Sequence, residues 1–338
     1  MNLFSRRRVL VTLAGLAGAA GAAACSAPPP TTGDRPDTST GGPDGAFPVT
    51  LTHALGTITI PARPQRIVTL GEDLDTLVAI GLAPVGYSPL APGHTTDIPY
   101  HQGLVDLTGV TVLTGDSVDK LSLEQITGLA PDLILASNTY GLDQRYDQLS
   151  RIAPTLAYEK GWGQTSWQDM SRTVGTAIGE PEKVAAAIAR SEQQVTDLKA
   201  ELPGLAGRTV ASAYYYQGGT FASNPKSASM AKYLALGMEV YPPLLEQATG
   251  ASNTISLENI AVLDADLLVL SFGSEALRDE LTGSAAYQNL KAVQTKAVHL
   301  VDPGDTLPTF AGNGPTLLNI PWVLEQQRPA LSAAAATQ

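Results

Sequence analysis

A chain of 338 residues, 43% hydrophobic and 16% charged, is long enough for about two domains and apolar enough to bury a core. Its net charge is −11, and loss of the first 24 residues, which hold three Arg and no acid, takes it to −14. A surface that acidic argues against nucleic acid, whose affinity comes from cations set against phosphate, and disfavours adsorption to anionic lipid.

The N-terminus opens with a basic segment, Ser5-Arg6-Arg7-Arg8-Val9-Leu10. Val9 to Ala24 is apolar but dominated by Ala and Gly, too short and too weakly hydrophobic to span a bilayer. Residues 1–24 therefore read as an export signal, of twin-arginine form or as an ordinary secretory n-region that holds three arginines. The only cysteine, Cys25, follows Ala22-Ala23-Ala24 and can form no internal disulfide. Its position resembles a bacterial lipobox and makes it the predicted lipidation site. Ala22 stands where Leu is usual, which also fits A-x-A cleavage with Cys25 next in line. Residues 25–48 are Pro, Gly, Thr, Ser and Asp with almost nothing to bury, a tether with a reach of about 25 Å.

From Val49 the chain becomes globular in pattern. "RIVTLGEDLDTLVAIGLAPVGYS" gives a strand from Arg66, a helical stripe of Leu74, Leu77, Val78 and Leu82, and a second strand, a βαβ rhythm. "SLEQITGLAPDLILAS" (Ser122–Ser137) reads as a helix capped by Ser122, with Gln125 completing a capping box, feeding a buried strand after Pro131. These elements define an N-terminal α/β lobe, residues 49–165. No strand interrupts 166–202. Trp167, Met170, Val174 and Ile178 share one helical face, Gly179 breaks the run, and Pro181 restarts it with Val184, Ile188, Val195, Leu198 and Leu202. This is the interlobe helix. "RTVASAYYY", a helical Lys226–Leu236, the strand "AVHLVD" and a last helix "GPTLLNIPWVLEQQ" build a C-terminal α/β lobe, residues 203–331. Within it, "SLENIAVLDADLLVLS" (Ser256–Ser271) repeats the earlier Ser122–Ser137 pattern, and Ser256 is predicted to cap it in the same way.

Taken together, "PQRIVTLGEDLDTLVAIGLAPVGYS", the two repeat copies, "QLSRIAPTL", "AAYQNLKAVQTKAVHLVD" and "GPTLLNIPWVLEQ" cover Val49 to Gln327 in order and spacing. On these motifs the chain resembles the substrate-binding lipoproteins of ABC importers for ferric siderophores, haem and cobalamin. The resemblance implies a class III periplasmic binding protein fold, two lobes on one long helical linker, with a stiff hinge and a ligand held between lobes. It implies an extracytoplasmic, lipid-anchored monomer whose partners are a permease dimer with its ATPase subunits. It also implies that one exposed glutamate on each lobe, here Glu124 and Glu258, docks on an arginine pocket of a permease subunit. Each Glu otherwise only complements a helix dipole.

Candidate ligand contacts are aromatic side chains in loops: Tyr140, Trp162, Tyr216 and Phe310, with Arg145 beside the first. Each aromatic equally suits core packing. Strand alternation sets Tyr215 on the opposite face from Tyr214 and Tyr216. Only Arg145, Lys160 and Lys226 offer positive charge, so a ferric hydroxamate fits better than a ferric catecholate. Haem would take Tyr140 or His94 as axial ligand, and no resident cofactor is predicted. A bare-metal site needs converging His and carboxylates, whereas His94 and His101 read as solvated loop residues. An esterase reading of Gly115-Asp116-Ser117 lacks a D-x-x-H base, because the residues three before the histidines are Thr50, Ala91, Ile98 and Lys296.

Overall fold

The computed structural model describes residues 47–91, 97–115, 117–248 and 253–337. The signal, Cys25, His94 and nearly all of the tether lie outside them. A hairpin, β1 (Val49–His53) and β2 (Gly56–Ile60), opens the described chain. Five strands then form an all-parallel sheet: β3 (Ile67–Thr69), β4 (Gly86–Tyr87), β5 (Thr111–Val112), β6 (Leu133–Leu135) and β7 (Thr155–Leu156), in the order β5-β4-β3-β6-β7. Every residue of β3 and β6 is buried, which is why these strands are continuous apolar runs without alternation. Helices α1 (Asp73–Ala79), α2 (Leu123–Gly128) and α3 (Tyr146–Leu149) join them.

The linker is two helices, α4 (Trp167–Ala177) and α5 (Pro181–Glu201). Ser166 caps α4 by accepting from the Asp169 amide, and Gly179 at φ +73° turns the chain between them. The 21 residues of α5 make a rod of about 30 Å. The predicted stripe is buried from Trp167 to Leu198, and only Leu202 is half-exposed.

The second sheet is mixed. Its strands are β8 (Thr209–Tyr216), β9 (Thr220–Ser223), β10 (Glu239–Val240), β11 (Asn253–Ser256), β12 (Leu267–Phe272) and β13 (Val298–Leu300), ordered β11-β9-β8-β12-β13. β10 pairs the start of β8, beside the stretch that β9 pairs. Helices α6 (Ala231–Ala235), α7 (Pro242–Gln247), α8 (Glu275–Thr282), α9 (Ala285–Gln288) and α10 (Lys291–Gln294) surround it. Three more follow β13: α11 (Thr306–Asn313), α12 (Asn319–Gln326) and α13 (Arg328–Ala336). Two of these differ from expectation. Residues 306–313 are helical, begun by Asp305 accepting from the Leu307 amide, and α13 runs past residue 331, its Ala330, Leu331 and Ala334 buried.

The repeated pattern folds differently in its two copies. Ser122 caps α2 by accepting from the Gln125 amide at 3.1 Å. The Gln125 side chain does not complete a capping box; its Oε1 accepts from the Thr114 amide and its Nε2 donates to Val112 O. Ser256 makes no side-chain cap bond, and residues 257–263 form 3-10 turns kinked at Asn259. The reason is the sheet. Ser256 ends β11, paired with Thr220, and the next amide donates to Gly219 O, so the ladder holds the backbone that a cap would arrange.

What the copies share is the aspartate before the strand. Asp132 accepts from the amides of Gln65 and Arg66, just before β3. Asp266 accepts from the amide and hydroxyl of Thr209, which starts β8, and from Lys291 Nζ at 2.6 Å. In each lobe, therefore, the repeat strand is stitched at its base to its central parallel neighbour. Asp266 is 9% exposed and Asp132 is exposed. Asp266→Ala, which strands a part-buried amide, is predicted to destabilise by about 1–3 kcal/mol. Asp132→Ala, whose amides water can reach, should cost less than about 1 kcal/mol. Urea unfolding checks the order, and equal costs would contradict the stitch.

Candidate ligand-binding cleft

Loops leaving the C-terminal ends of parallel strands are where α/β proteins bind ligands. Here those ends face each other. Segments that follow β3 and β4 touch segments that follow β13: Thr316 Oγ1 donates to Asp75, Tyr100 packs on Trp322 at 5.3 Å, and Leu307 is buried with Ala91 and Ile98.

The N-terminal wall is the loop after β6. Ser137 donates its amide, at 2.7 Å, and its hydroxyl to the Asp73 carboxylate. Thr139 Oγ1 donates to Leu70 O at 2.9 Å, and Asn138 Oδ1 accepts from the Gly163 amide at 3.0 Å. Three successive residues are thus pinned, and the fourth, Tyr140, is presented at 73% exposure. Trp162, 53% exposed, meets it edge-on with ring centroids 5.0 Å apart. The structure brings these two predicted contacts together. Arg145, five residues on, is half-buried, and its guanidinium is engaged: it donates to Asp119 O, Leu121 O and Gln148 Oε1 at 2.6, 3.2 and 2.5 Å.

The C-terminal wall begins at the end of β8. Tyr215 is buried against Phe221 and donates to Glu280 Oε1 at 2.8 Å; burial first, then Glu280, pushes its pKa up to about 12. Tyr214 and Tyr216 lie on the other face and stack, with centroids 6.4 Å apart and an interplanar angle of 22°. Tyr214 is the more exposed of the two and joins Tyr216 as a candidate; the alternation that separates both from Tyr215 is the sequence signal for it. Phe310 is 48% exposed, on α11 rather than in a loop.

Polar groups beneath the walls were not foreseen as such. His101 is buried, not solvated, because its Nε2 donates to Asp75 Oδ1 at 2.6 Å. His53 pairs with the Tyr146 hydroxyl at 3.1 Å. Burial raises Asp73 to about 6 against its two bonds from Ser137. Among the described residues no cluster of three or more His, Cys, Asp or Glu could hold a metal ion. Two cavities of about 390 and 320 Å³ lie along α5 and are lined by none of the aromatic candidates; the exposed aromatic walls carry more weight than these, because only they place ligand-type side chains at the strand ends.

The chain matches the Periplasmic binding protein family over residues 67–303, and it belongs to that family. It is 31% identical over 280 residues to the "Probable siderophore-binding lipoprotein YfiY" of Bacillus subtilis, covering 78% of this chain and 82% of that one. It is 30% identical over 274 residues to the "Ferric enterobactin-binding periplasmic protein FepB" of Escherichia coli, covering 75% and 83%. Among solved structures it is similar to Streptococcus pneumoniae PiaA in complex with ferrichrome, at TM-score 0.71 and 25% identity, covering 85% of this chain and 98% of that one.

Asp73 tests whether the Tyr140 loop is pinned from below. Asp73→Ala leaves the buried Ser137 amide without an acceptor and is predicted to cost about 1–3 kcal/mol, while Asp73→Asn keeps an acceptor and costs less. The raised carboxyl makes the folded state lose stability as pH rises from 3.8 through about 6. Melting curves of the Asn variant should lack that part of the decline.

Proposed function

We propose that this protein is the extracytoplasmic solute-binding lipoprotein of an ABC importer, capturing an iron(III)–siderophore complex between its lobes and delivering it to a membrane permease. The observation that carries this reading is the pair of exposed aromatic walls, Tyr140 with Trp162 and Tyr214 with Tyr216, joined by Phe310, at the facing strand ends. Exposed rings held rigidly by buried polar ties suit a large, flat-faced ligand. The names of the relatives, a probable siderophore-binding lipoprotein and a ferric enterobactin-binding periplasmic protein, support the same ligand class.

A neutral or cationic ferric hydroxamate is favoured over an anionic catecholate. Of the three cations singled out, Lys226 donates to Ala248 O and Arg145 to two backbone carbonyls, so Lys160, which is exposed, is the main charge left to meet an anionic ligand. Arg145 thus braces the N-terminal wall. Ligand capture needs no bond to be made or broken, and we read the protein as a binder, not an enzyme. Fluorescence titration with ferrichrome, ferrioxamine, a ferric catecholate, haem and cobalamin tests the class. Tyr140→Ala should weaken the best ligand at least tenfold with an unchanged melting temperature; an unchanged Kd would remove Tyr140 from the site.

Delivery is assigned to Glu124 and Glu258, both exposed. Each is the second residue of a helical segment that leads into the repeat strand. Because those strands are parallel to their neighbours, both segments begin at the sheets' C-terminal ends, on the rim of the cleft. Two equivalent rim charges suit a two-fold permease. In cells, Glu124→Ala with Glu258→Ala should abolish uptake while the protein stays membrane-bound and binds ligand normally. Cys25→Ala, which removes the proposed lipid anchor, should instead release it from the membrane. Normal import by the double variant, or a membrane-bound Cys25→Ala protein, would refute the respective role.

A further inference from the structure

The segment between α11 and α12 is clamped from two sides. On its C-lobe side, Lys232 is 5% exposed, sits over the Tyr233 ring, and donates to Gly312 O at 2.8 Å and Ser229 O at 2.6 Å. On its N-lobe side, Thr316 Oγ1 donates to Asp75 Oδ2, whose other oxygen accepts from His101. Asn319 closes the loop on itself, accepting from the Thr316 amide and donating to Gly314 O. Glu72, which begins α1, packs directly on Gly314: a Cβ there would collide with its carboxylate.

We propose that Gly312–Thr316, with Glu72 and Asp75, is a proton-sensitive latch that positions α11, and so Phe310, against the N-terminal lobe. The groups facing it are Glu72, Asp73 and Asp75 from α1, Tyr100 and His101 from the turn at 99–101, and Lys232, Thr316 and Asn319 from the C-terminal lobe. Glu72 has two anions beside it and no cation among the groups that set its acidity. Burial, and then Asp73 and Asp75, raise it from 4.5 to about 7. Protonated, it sits neutrally under Gly314. Ionised, the half-buried carboxylate needs more water than the closed seam gives it, and lifting the 312–316 segment admits more.

The sign follows from linkage. A carboxyl raised by closure favours the closed state fully below about 4.5, and that contribution is lost as pH rises through about 7. With an ordinary acidity when open, the closing equilibrium falls about tenfold between pH 6 and pH 8. The latch therefore holds in mild acid and loosens above neutrality. Its consequence for capture rests on the ligand reading above; the latch itself does not.

Hydrogen exchange on the ligand-free full chain tests it. Comparison of wild type with Glu72→Gln at one pH cancels the intrinsic exchange rate. The ratio of wild-type to Glu72→Gln exchange rates at the amides of 306–313 should be about ten times larger at pH 8 than at pH 6, and the two proteins should match only near pH 4. Thr316→Val and Gly314→Ala should exchange fast at both pH values, and Thr316→Ser should behave as wild type. Protection of 184–198 in α5 should be constant throughout. Equal exchange of wild type and Glu72→Gln at pH 8, or loss of protection in α5 alongside α11, overturns the latch. The ligand panel titrated at pH 6 and 8 then separates the two proposals. If exchange behaves as described but no ferric complex binds, only the ligand reading falls; if a complex binds but exchange ignores Glu72, only the latch falls.

Discussion

Everything in this molecule depends on one rod being packed against two lobes at once. Helix α5 buries Val184, Ile188, Val195 and Leu198 in the same apolar cluster as the strands of the second sheet. From its other side Arg190 donates to Ala79 O at the end of α1, and Ala79 and Ile80 pack on that cluster too. A helix of about 30 Å does not bend cheaply, and breaking either contact would expose apolar area worth roughly 25 cal/mol per Å². The lobes are therefore held near one separation, and the walls between them are preformed. If Tyr140 and Trp162 bind ligand as proposed, little ordering would remain to oppose it.

The seam where the lobes meet directly is of another kind. Leu307, Leu318 and Trp322 provide apolar contact, yet through the middle runs a polar strip of buried Asp73, Asp75 and His101 with half-buried Glu72 at its edge. The start of a helix favours negative charge, and desolvation opposes it. Desolvation prevails at Glu72 and Asp73, both of which are raised despite their place at the start of α1. An apolar seam would be tighter, but it could not respond to protons. A stiff linker with a polar seam confines adjustable motion to one segment, α11 and the loop after it.

How far the sequence foretold this depends on whether a signal was local. Gly179 before Pro181, the alternation around Tyr215 and the unbroken apolar runs of β3 and β6 each announce a backbone state within a few residues, and each appears in the structure as read. Helix α11 was hidden because Pro308, Gly312 and Asn313 look like loop residues; it forms because Asp305 caps it and Leu307 is buried across the seam. Ser256 carries the same local signal as Ser122, but its strand pairing overrides it. His101 looks like a solvated loop residue until Asp75, 26 positions away, is brought to its Nε2. The exposed position of Tyr140 was legible from its place after a strand, whereas that of Tyr214 needed the side of the strand to be known.

The repeated pattern can now be divided by function. The shared leucines and isoleucine are buried or half-buried and belong to packing, and the shared aspartate stitches the strand to its neighbour. The shared serine does different work in the two copies, so capping cannot be why it recurs. The glutamate likewise has no structural task common to both lobes. Glu124 accepts from the Ser122 hydroxyl at 3.2 Å, whereas Glu258 stands exposed in a 3-10 turn whose Ser256 makes no cap bond. A dipole effect falls off with so short and kinked a segment. The dipole account that suits Glu124 is thus weaker for Glu258, which is consistent with the partner-facing role proposed for both.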